Sequence, residues 1–519
     1  MRRVLQNILT VSGSTGISRL LGLARDILTA AVLGVSVYAN AFLFAFAVPN
    51  LFRRLLGEGA LTSAFIPVLS GHLSDDGEQP EHRSGFALVN QVLTWAAVVL
   101  AALTVLGVLT YFVIGRLIGP EPEDVALQRQ WWAGLRLGMA LMPYVILVCL
   151  AALMGAALNV LDKFAVHALS TVWLNLAMIA ALTVSLSSGQ SPATAVIWLT
   201  YAVLAGGIVQ LAVPTACLLG HGWRPRLDFR RSEPLREVVA LFVPGLLGAA
   251  VMQANILTSR VIAFALNDTA VTTLYLANRL VELPLGLFAI AIATVYFPAL
   301  SRSDARGDGR AFDADYARAL RLTLAIIVPA AAGLAVLAEP ILQLLFGYGR
   351  FTAGDVALTA PLLQIFALAL PFYAAAGWMT KAFHAMKDTQ TPVRIAAWTF
   401  GLNLVLTLAL IPVLATPGMA LANTLAAIYQ TLALRGKLRK ARPELPAIAA
   451  ALSKVLTATM AMAALVWAVS GGIAPGFPAQ EDLLAVGLGI PLGIGTYAVC
   501  LWLLNFEDRD ELRALLKRH

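Results

Sequence analysis

The chain has 519 residues, 59% of them hydrophobic and 13% charged, with a formal net charge of +8 and a mean hydropathy of +0.79. Soluble domains carry about 25% charged residues, so this composition excludes an ordinary water-soluble globule. The basic excess is explained by membrane topology and anionic headgroups, and no nucleic-acid partner is expected.

About fourteen stretches of 18 or more mostly apolar residues can each cross a hydrocarbon core of roughly 30 Å as a helix. They begin near residues 8, 38, 85, 131, 165, 192, 238, 270, 320, 357, 393, 415, 447 and 481. Their apolar runs are continuous and do not alternate with period two, which excludes a strand-built barrel and predicts an all-α polytopic membrane protein. The amino-terminal MRRVLQNILT is basic but lacks a small-residue cleavage site, so an uncleaved first helix is expected.

The first two spans carry the sharpest signal. In ISRLLGLARDILTAAVLGV the charges Arg19, Arg25 and Asp26 lie away from both helix ends, beside Gly13, Gly16 and Gly22. In NAFLFAFAVPNLFRRLLGEGALTSAFIPVL, Asn40, Asn50, Arg53, Arg54 and Glu58 accompany the helix-bending Pro49. A charge at a helix centre costs roughly 2.5–3.5 kcal/mol on insertion scales. Arg54 and Glu58 are spaced i,i+4 and can pair on their own helix. Arg19, Arg25 and Arg53 then keep one neighbouring acid, Asp26, which points to a wet cavity that receives an anion. Because guanidinium forks bind oxyanions bidentately, a diphosphate suits them better than chloride.

Span four carries Pro143 and Tyr144, and span five Asn175. The loop HGWRPRLDFRRSEPLR follows span six, and span eight reads NRLVELPLGLFAIAIATVYFPALS, with Asn278, Arg279 and Glu282 near its start. Arg279 and Glu282, spaced i,i+3, can also pair locally. Arg136 and Arg260, near outer ends, and Lys381, near an inner one, are expected to snorkel to the interface. The glycines of GLGIPLGIG in the last span read as helix packing, not a nucleotide site. FEDRDELRALLKRH reads as a cytoplasmic amphipathic tail.

With both termini cytoplasmic, about 25 Lys and Arg fall in inner loops and tails and about 3 in outer ones, as the positive-inside rule requires. Two sequence echoes lie at nearly one spacing. FIPVLS ends span two and YFPALS ends span eight, 231 positions later, while Pro143 and Asn175 recur as Pro371 and Asn403, at a spacing of 228. Two six-helix halves and an extra helix pair are therefore expected, a plan common among transporters. The boundaries would be 1–222 and 223–441 for the lobes, 442–506 for the last two spans and 507–519 for the tail.

Enzyme motifs such as HExxH, GxSxG and the P-loop are missing, and the six histidines are scattered. Cys149, Cys217 and Cys500 form no CxxC pattern, so neither a disulfide nor a metal site is expected. No cofactor is expected, and coupling to a monovalent ion is left open.

The segments SRLLGLARD, PNLFRRLLGEGALTSAFIPVLS, NRLVELPLGLFAIAIATVYFPALS and GRFTAGD resemble the signatures of the MurJ (MviN) family of bacterial lipid II flippases. That family lies within the multidrug/oligosaccharidyl-lipid/polysaccharide exporter superfamily, and the resemblance runs over essentially the full length. It implies a two-lobed fold with a cationic central cavity, an inner-membrane location, alternating access, and a groove for the undecaprenyl tail formed by spans thirteen and fourteen. Carried over by motif, the substrate-binding arginines fall on Arg19, Arg25, Arg53 and Arg279, with Asp26, Asn40, Asn50, Arg54, Glu58, Asn278 and Glu282 supporting or gating. Relatives often carry acids where this chain has Asn40 and Asn278, which weakens any cation-coupling role at those positions. The implied partners are lipid II, membrane lipids and, left open, cell-wall synthesis proteins; a monomer is expected. Other readings are a flippase for another undecaprenyl-diphosphate oligosaccharide, a drug-cation exporter, a non-transporting scaffold and a lipid transferase.

Overall fold

The computed structural model describes residues 2–57, 59–74, 82–118, 126–473 and 481–508. These residues form helices and connecting turns, with no strand among them. In the first half the helices are α1 (Arg2–Leu33), α2 (Val37–Phe52), α3 (Ala60–Ser74), α4 (His82–Ile118), α5 (Ala126–Leu141), α6 (Pro143–Val160), α7 (Phe164–Ala168), α8 (Ser170–Ser187) and α9 (Pro192–Gly220). There follow α10 (Glu233–Leu266), α11 (Ala270–Pro284), α12 (Ile290–Ala305), α13 (Gly309–Val336), α14 (Ala338–Phe346), α15 (Ala353–Ala385), α16 (Gln390–Ala441), α17 (Ala449–Ile473) and α18 (Glu481–Leu503). Among the described residues nine helices are long and apolar enough to cross a membrane, and the bent pair α11 and α12 would make ten. The molecule is thus an all-helical multi-pass membrane protein.

Local chemistry sets the helix starts. Ser36, Ser191, Ser232 and Asp308 each accept a backbone N–H three residues on, and Thr352 with Asp355 forms a reciprocal capping box. These caps satisfy amide donors that an unfinished first turn leaves open. The 52-residue α16 is broken at Ala415, whose φ of 50° and ψ of −129° leave the helical region between Pro412 and Pro417, where one span was expected to give way to the next.

Contacts divide the chain into two compact units: Met1–Thr272 with Gly349–Phe351, and Thr273–Tyr348 with Thr352–His519. In the first unit, Phe65, Leu69, Val89, Leu153 and Trp223 lie in one core, and α10 packs on α3 and α2. The Gly349–Phe351 segment clasps the end of α1, where Arg350 N–H donates to Ala31 O at 2.8 Å. Gly34 and Gly349 both have positive φ, and a Cβ on Gly34 would sit 2.7 Å from Arg350 O. Only glycine combines that conformation with that approach. The first three residues of the GRFTAGD motif therefore have a structural task within this unit.

The connection between α9 and α10 is strapped to α4. Trp223 Nε1 donates to Asn90 Oδ1 at 3.0 Å, Asn90 Nδ2 to Arg224 O at 3.0 Å and Asp228 N–H to Thr94 Oγ1 at 3.1 Å. Arg230 forks onto Asp228 at 3.0 and 2.8 Å. That hydrogen-bonded guanidinium holds the Asp228 carboxyl well below the usual carboxylate range.

The second unit centres on Phe312, Trp378, Phe383, Leu434 and Phe506. Arg442 at the end of α16 donates to Asp313 Oδ1 at 2.8 Å and lies over the Phe312 ring at 4.4 Å. Arg321 forks onto Asp508 at 2.7 and 3.1 Å, tying the chain beyond α18 to α13. Most of the proposed amphipathic tail, residues 509–519, lies outside the described residues.

The repeat suggested by FIPVLS and YFPALS is also present in local geometry. A π-helical segment, Arg53–Gly57, joins α2 to α3, and a second, Leu285–Ala289, joins α11 to α12. Further along each, Ser70 Oγ donates to Ile66 O at 2.7 Å and Ser301 Oγ to Phe297 O at 3.1 Å. One extra residue in a turn opens the backbone, and such π-bulges concentrate at functional sites.

Candidate functional site

Arg25 is the best anchored of the span arginines. Its Nε and Nη2 donate to Asp26 Oδ1 at 3.1 and 2.7 Å, and Nη1 donates to Asn175 Oδ1 at 3.1 Å. Asn175, on α8, in turn donates to Ser18 O at 3.3 Å, while Ser18 Oγ meets Thr171 Oγ1 at 2.7 Å. The Asp26 side chain is only 3% exposed and that of Arg25 15%. A charge so placed is tolerated because the pair is hydrogen-bonded on more than one side. Sequence reading marked Asn175 only as a repeat position; the available signal was a lone amide in an otherwise apolar span.

Arg19 lies six residues earlier on α1, about 9 Å along the axis, and its side chain is exposed. No described residue forms an ion pair or hydrogen bond with it. Arg53 opens the first π segment, which packs against α6; its Nε donates to Asn50 Oδ1 at 3.0 Å. Arg54 is exposed and lines a cleft with Asn50, Gln253 and Arg260, and Arg260 donates to Leu43 O at 3.0 Å. That bond ties Arg260, on α10, to a carbonyl of α2. Glu58, the expected partner of Arg54, lies outside the described residues.

Asn40 belongs to a buried knot. It is fully buried; Nδ2 donates to Gln130 Oε1 at 3.1 Å and Asn267 O at 3.4 Å, and Oδ1 accepts from Thr272 N–H at 2.8 Å and Oγ1 at 2.6 Å. Gln130 also donates to Phe264 O at 2.7 Å. This amide therefore fastens α2 to α5 and to the turn after α10.

In the second unit Arg279 is 3.6 Å from Glu282 Oε2, the local pair that the i,i+3 spacing allowed, with side chains 24% and 54% exposed. Asn278 Nδ2 donates to Glu282 Oε1 at 2.9 Å. A half-exposed pair of this length is worth at most about 1 kcal/mol. Arg136 lies over Trp132 at 5.6 Å and Lys381 over Trp378 at 5.9 Å. Among the described residues no group of three or more His, Cys, Asp and Glu is placed to hold a metal.

From Gly13 to Glu58 the sequence holds four arginines, Arg19, Arg25, Arg53 and Arg54, against two carboxylates, Asp26 and Glu58. That is a positive surplus within apolar helices, suited to an anion with several oxygens.

The family model described as "Lipid II flippase MurJ" matches residues 29–479. The chain is 32% identical to the "Probable lipid II flippase MurJ" of Vibrio cholerae over 98% of both chains. It is 34% identical to that of Rhizobium meliloti over 82% of this chain and 80% of the relative. The "Lipid II flippase MurJ" of Burkholderia cenocepacia is 31% identical over 83% of each. Among solved structures, "Lipid II flippase MurJ, inward closed conformation" superposes with a TM-score of 0.77 at 24% identity, covering 95% of this chain and 99% of that one. An inward-facing multidrug resistance MATE family transporter of the MOP superfamily shares the fold at a TM-score of 0.66 and 13% identity, over 85% of this chain and 100% of its own.

Proposed function

The chain belongs to the lipid II flippase MurJ family, and from that premise we propose that it carries undecaprenyl-diphosphate-linked peptidoglycan precursor from the inner to the outer leaflet of the bacterial cytoplasmic membrane. The observation that carries this reading is the surplus of arginine over carboxylate in α1, α2 and the first π segment. In the proposed cycle Arg19, Arg25, Arg53 and Arg279 take the diphosphate from the cytoplasmic side. The two lobes then rock by alternating access, and the headgroup is released outward. Asp26 and Asn175 hold the Arg25 fork in place, which supports a pre-oriented donor set. Asn50 does the same for Arg53, and Asn278 positions Glu282 beside Arg279.

The lobe boundaries at 222/223 and 441/442, and a tail groove from spans thirteen and fourteen, belong to the same proposal. Asn40, fully bonded inside the protein, is assigned to holding the α2 end together and not to coupling an ion. The proposed transporter has cytoplasmic termini, acts as a monomer and needs no cofactor.

Complementation of a conditional flippase-depleted bacterium, with a direct assay of lipid II in the outer leaflet, tests the reading. Wild type should rescue. Arg53→Ala should lower flipping roughly 30- to 150-fold at matched expression, the loss of about 2–3 kcal/mol of charged hydrogen bonding. Rescue by Arg53→Ala at wild-type rate would assign the arginine to structure, and failure of wild type would reassign the substrate.

A further inference from the structure

A second polar site lies in the second unit, away from the span arginines in sequence and chemically distinct from them. A cavity of 480 Å³ is lined by Phe297, Tyr373, Thr380, Lys381, His384 and Gln430. Tyr373, Gly377, Thr380, Lys381 and His384 recur at helical spacing and so form one face of α15, and Gln430 comes from α16. A polar stripe on an apolar membrane helix is costly unless it meets water or a ligand.

Among the described residues no acidic side chain lines this cavity. Among the described residues Lys381 has no ion pair, and none of Thr380, His384 or Gln430 makes a side-chain hydrogen bond to the protein. What holds the half-buried Lys381 is the Trp378 ring, 5.9 Å from Nζ, an apolar tether that leaves the ammonium protons to be satisfied from the cavity. One point charge ringed by neutral donors differs from the arginine forks: it matches a single carboxylate better than a diphosphate.

We propose that this cavity binds a carboxylate of the stem peptide carried by the substrate, with Lys381 as counter-charge and Thr380, His384 and Gln430 as hydrogen-bonding partners. The proposal rests on the flippase reading and extends it to the peptide end of the headgroup. The reach is adequate. Arg279 and Phe297 are 18 residues apart on the path α11, π segment, α12, about 27 Å along a straight helix, and the path bends by 49°. An extended peptide of roughly five residues spans at most about 17 Å, and the one sugar between peptide and diphosphate, with the long side chains of Arg279 and Lys381, covers the remainder.

The test is equilibrium binding to the full-length protein in lipid nanodiscs, using lipid II, the same lipid-linked disaccharide without its peptide, and undecaprenyl diphosphate. Lys381→Gln should weaken lipid II binding about tenfold and leave both peptide-free lipids unchanged, and Lys381→Arg should retain most of the affinity. Gln430→Leu provides a second probe should Lys381→Gln fold poorly, with the same selectivity expected at about threefold. Equal weakening for all three ligands would overturn the proposal in favour of a diphosphate site, and unchanged lipid II binding in both variants would remove the cavity from substrate recognition. If wild type bound none of the three, the flippase reading itself would fall, a result distinguishable from loss in the variants alone.

Discussion

In the second span the opened turn Arg53–Gly57 precedes Pro67 and the Ser70-to-Ile66 bond; in the eighth, the opened turn Leu285–Ala289 precedes Pro298 and the Ser301-to-Phe297 bond. The backbone device is repeated, but the amides before it are used in opposite ways. Asn40 is fully buried and bonded to three other parts of its unit, whereas Asn278 is exposed and, among the described residues, its side chain reaches only Glu282 on its own helix. The comparison suggests that the opened turn and its proline are what the repeat preserves, while the side chains around it have been assigned separate tasks in each half.

The largest stability contrast should therefore come from substituting the two asparagines. Asn40→Leu strands the Thr272 amide and hydroxyl and the Gln130 carboxamide in a dry site, a loss of about 2–4 kcal/mol. Asn278→Leu, at an exposed position, should change stability by less than about 0.5 kcal/mol. Thermal unfolding of both variants in one detergent measures the difference, and equal shifts would refute the asymmetry.

The arginines give the next contrast. Arg25 makes bonds to two helices through three nitrogens, which a lysine ammonium cannot reproduce in that geometry. Arg25→Lys should lower flipping roughly 10- to 150-fold, for about 1.5–3 kcal/mol of lost charged hydrogen bonding. Arg279 sits 3.6 Å from a half-exposed acid, so Arg279→Lys should stay within about fivefold of wild type. If the two lysine variants were equally impaired in the outer-leaflet assay, the bonding around Arg25 would not be what sets it apart.

Much of this architecture is legible from periodicity and composition, because a lipid-facing helix must satisfy its backbone internally and show an apolar surface. Arg19, Arg25, Arg53 and Arg279 stand out in the sequence, since a charge within an apolar run is conspicuous. Their partners were harder to read. The sequence leaves Asp26 to Arg19, Arg25 and Arg53 in common, and the structure pairs it with the adjacent Arg25; neighbours in sequence do not share a helix face, and only the length of the arginine side chain lets it fold back. Asn175 and the knot around Asn40 depend on residues 90 to 232 positions distant, for which no local pattern exists. The π segments were invisible because one extra residue per turn leaves the apolar pattern nearly unchanged, although Pro49 and Pro284 marked the neighbourhood.

The smallest expected effects lie at the serines that close the repeat. Each hydroxyl bonds to the carbonyl four residues before it, an acceptor already used by the helix, so the bond bends the helix more than it stabilises it. Ser70→Ala and Ser301→Ala should each alter stability by less than about 0.5 kcal/mol. If the bend follows from Pro67 and Pro298 alone, both variants should also flip at wild-type rate. A larger loss in Ser70→Ala than in Ser301→Ala would show that the second span depends on its hydroxyl to hold the bend beyond the Arg53–Gly57 break. Span eight would then rely on its proline, and the likeness between the two spans would stop at the backbone.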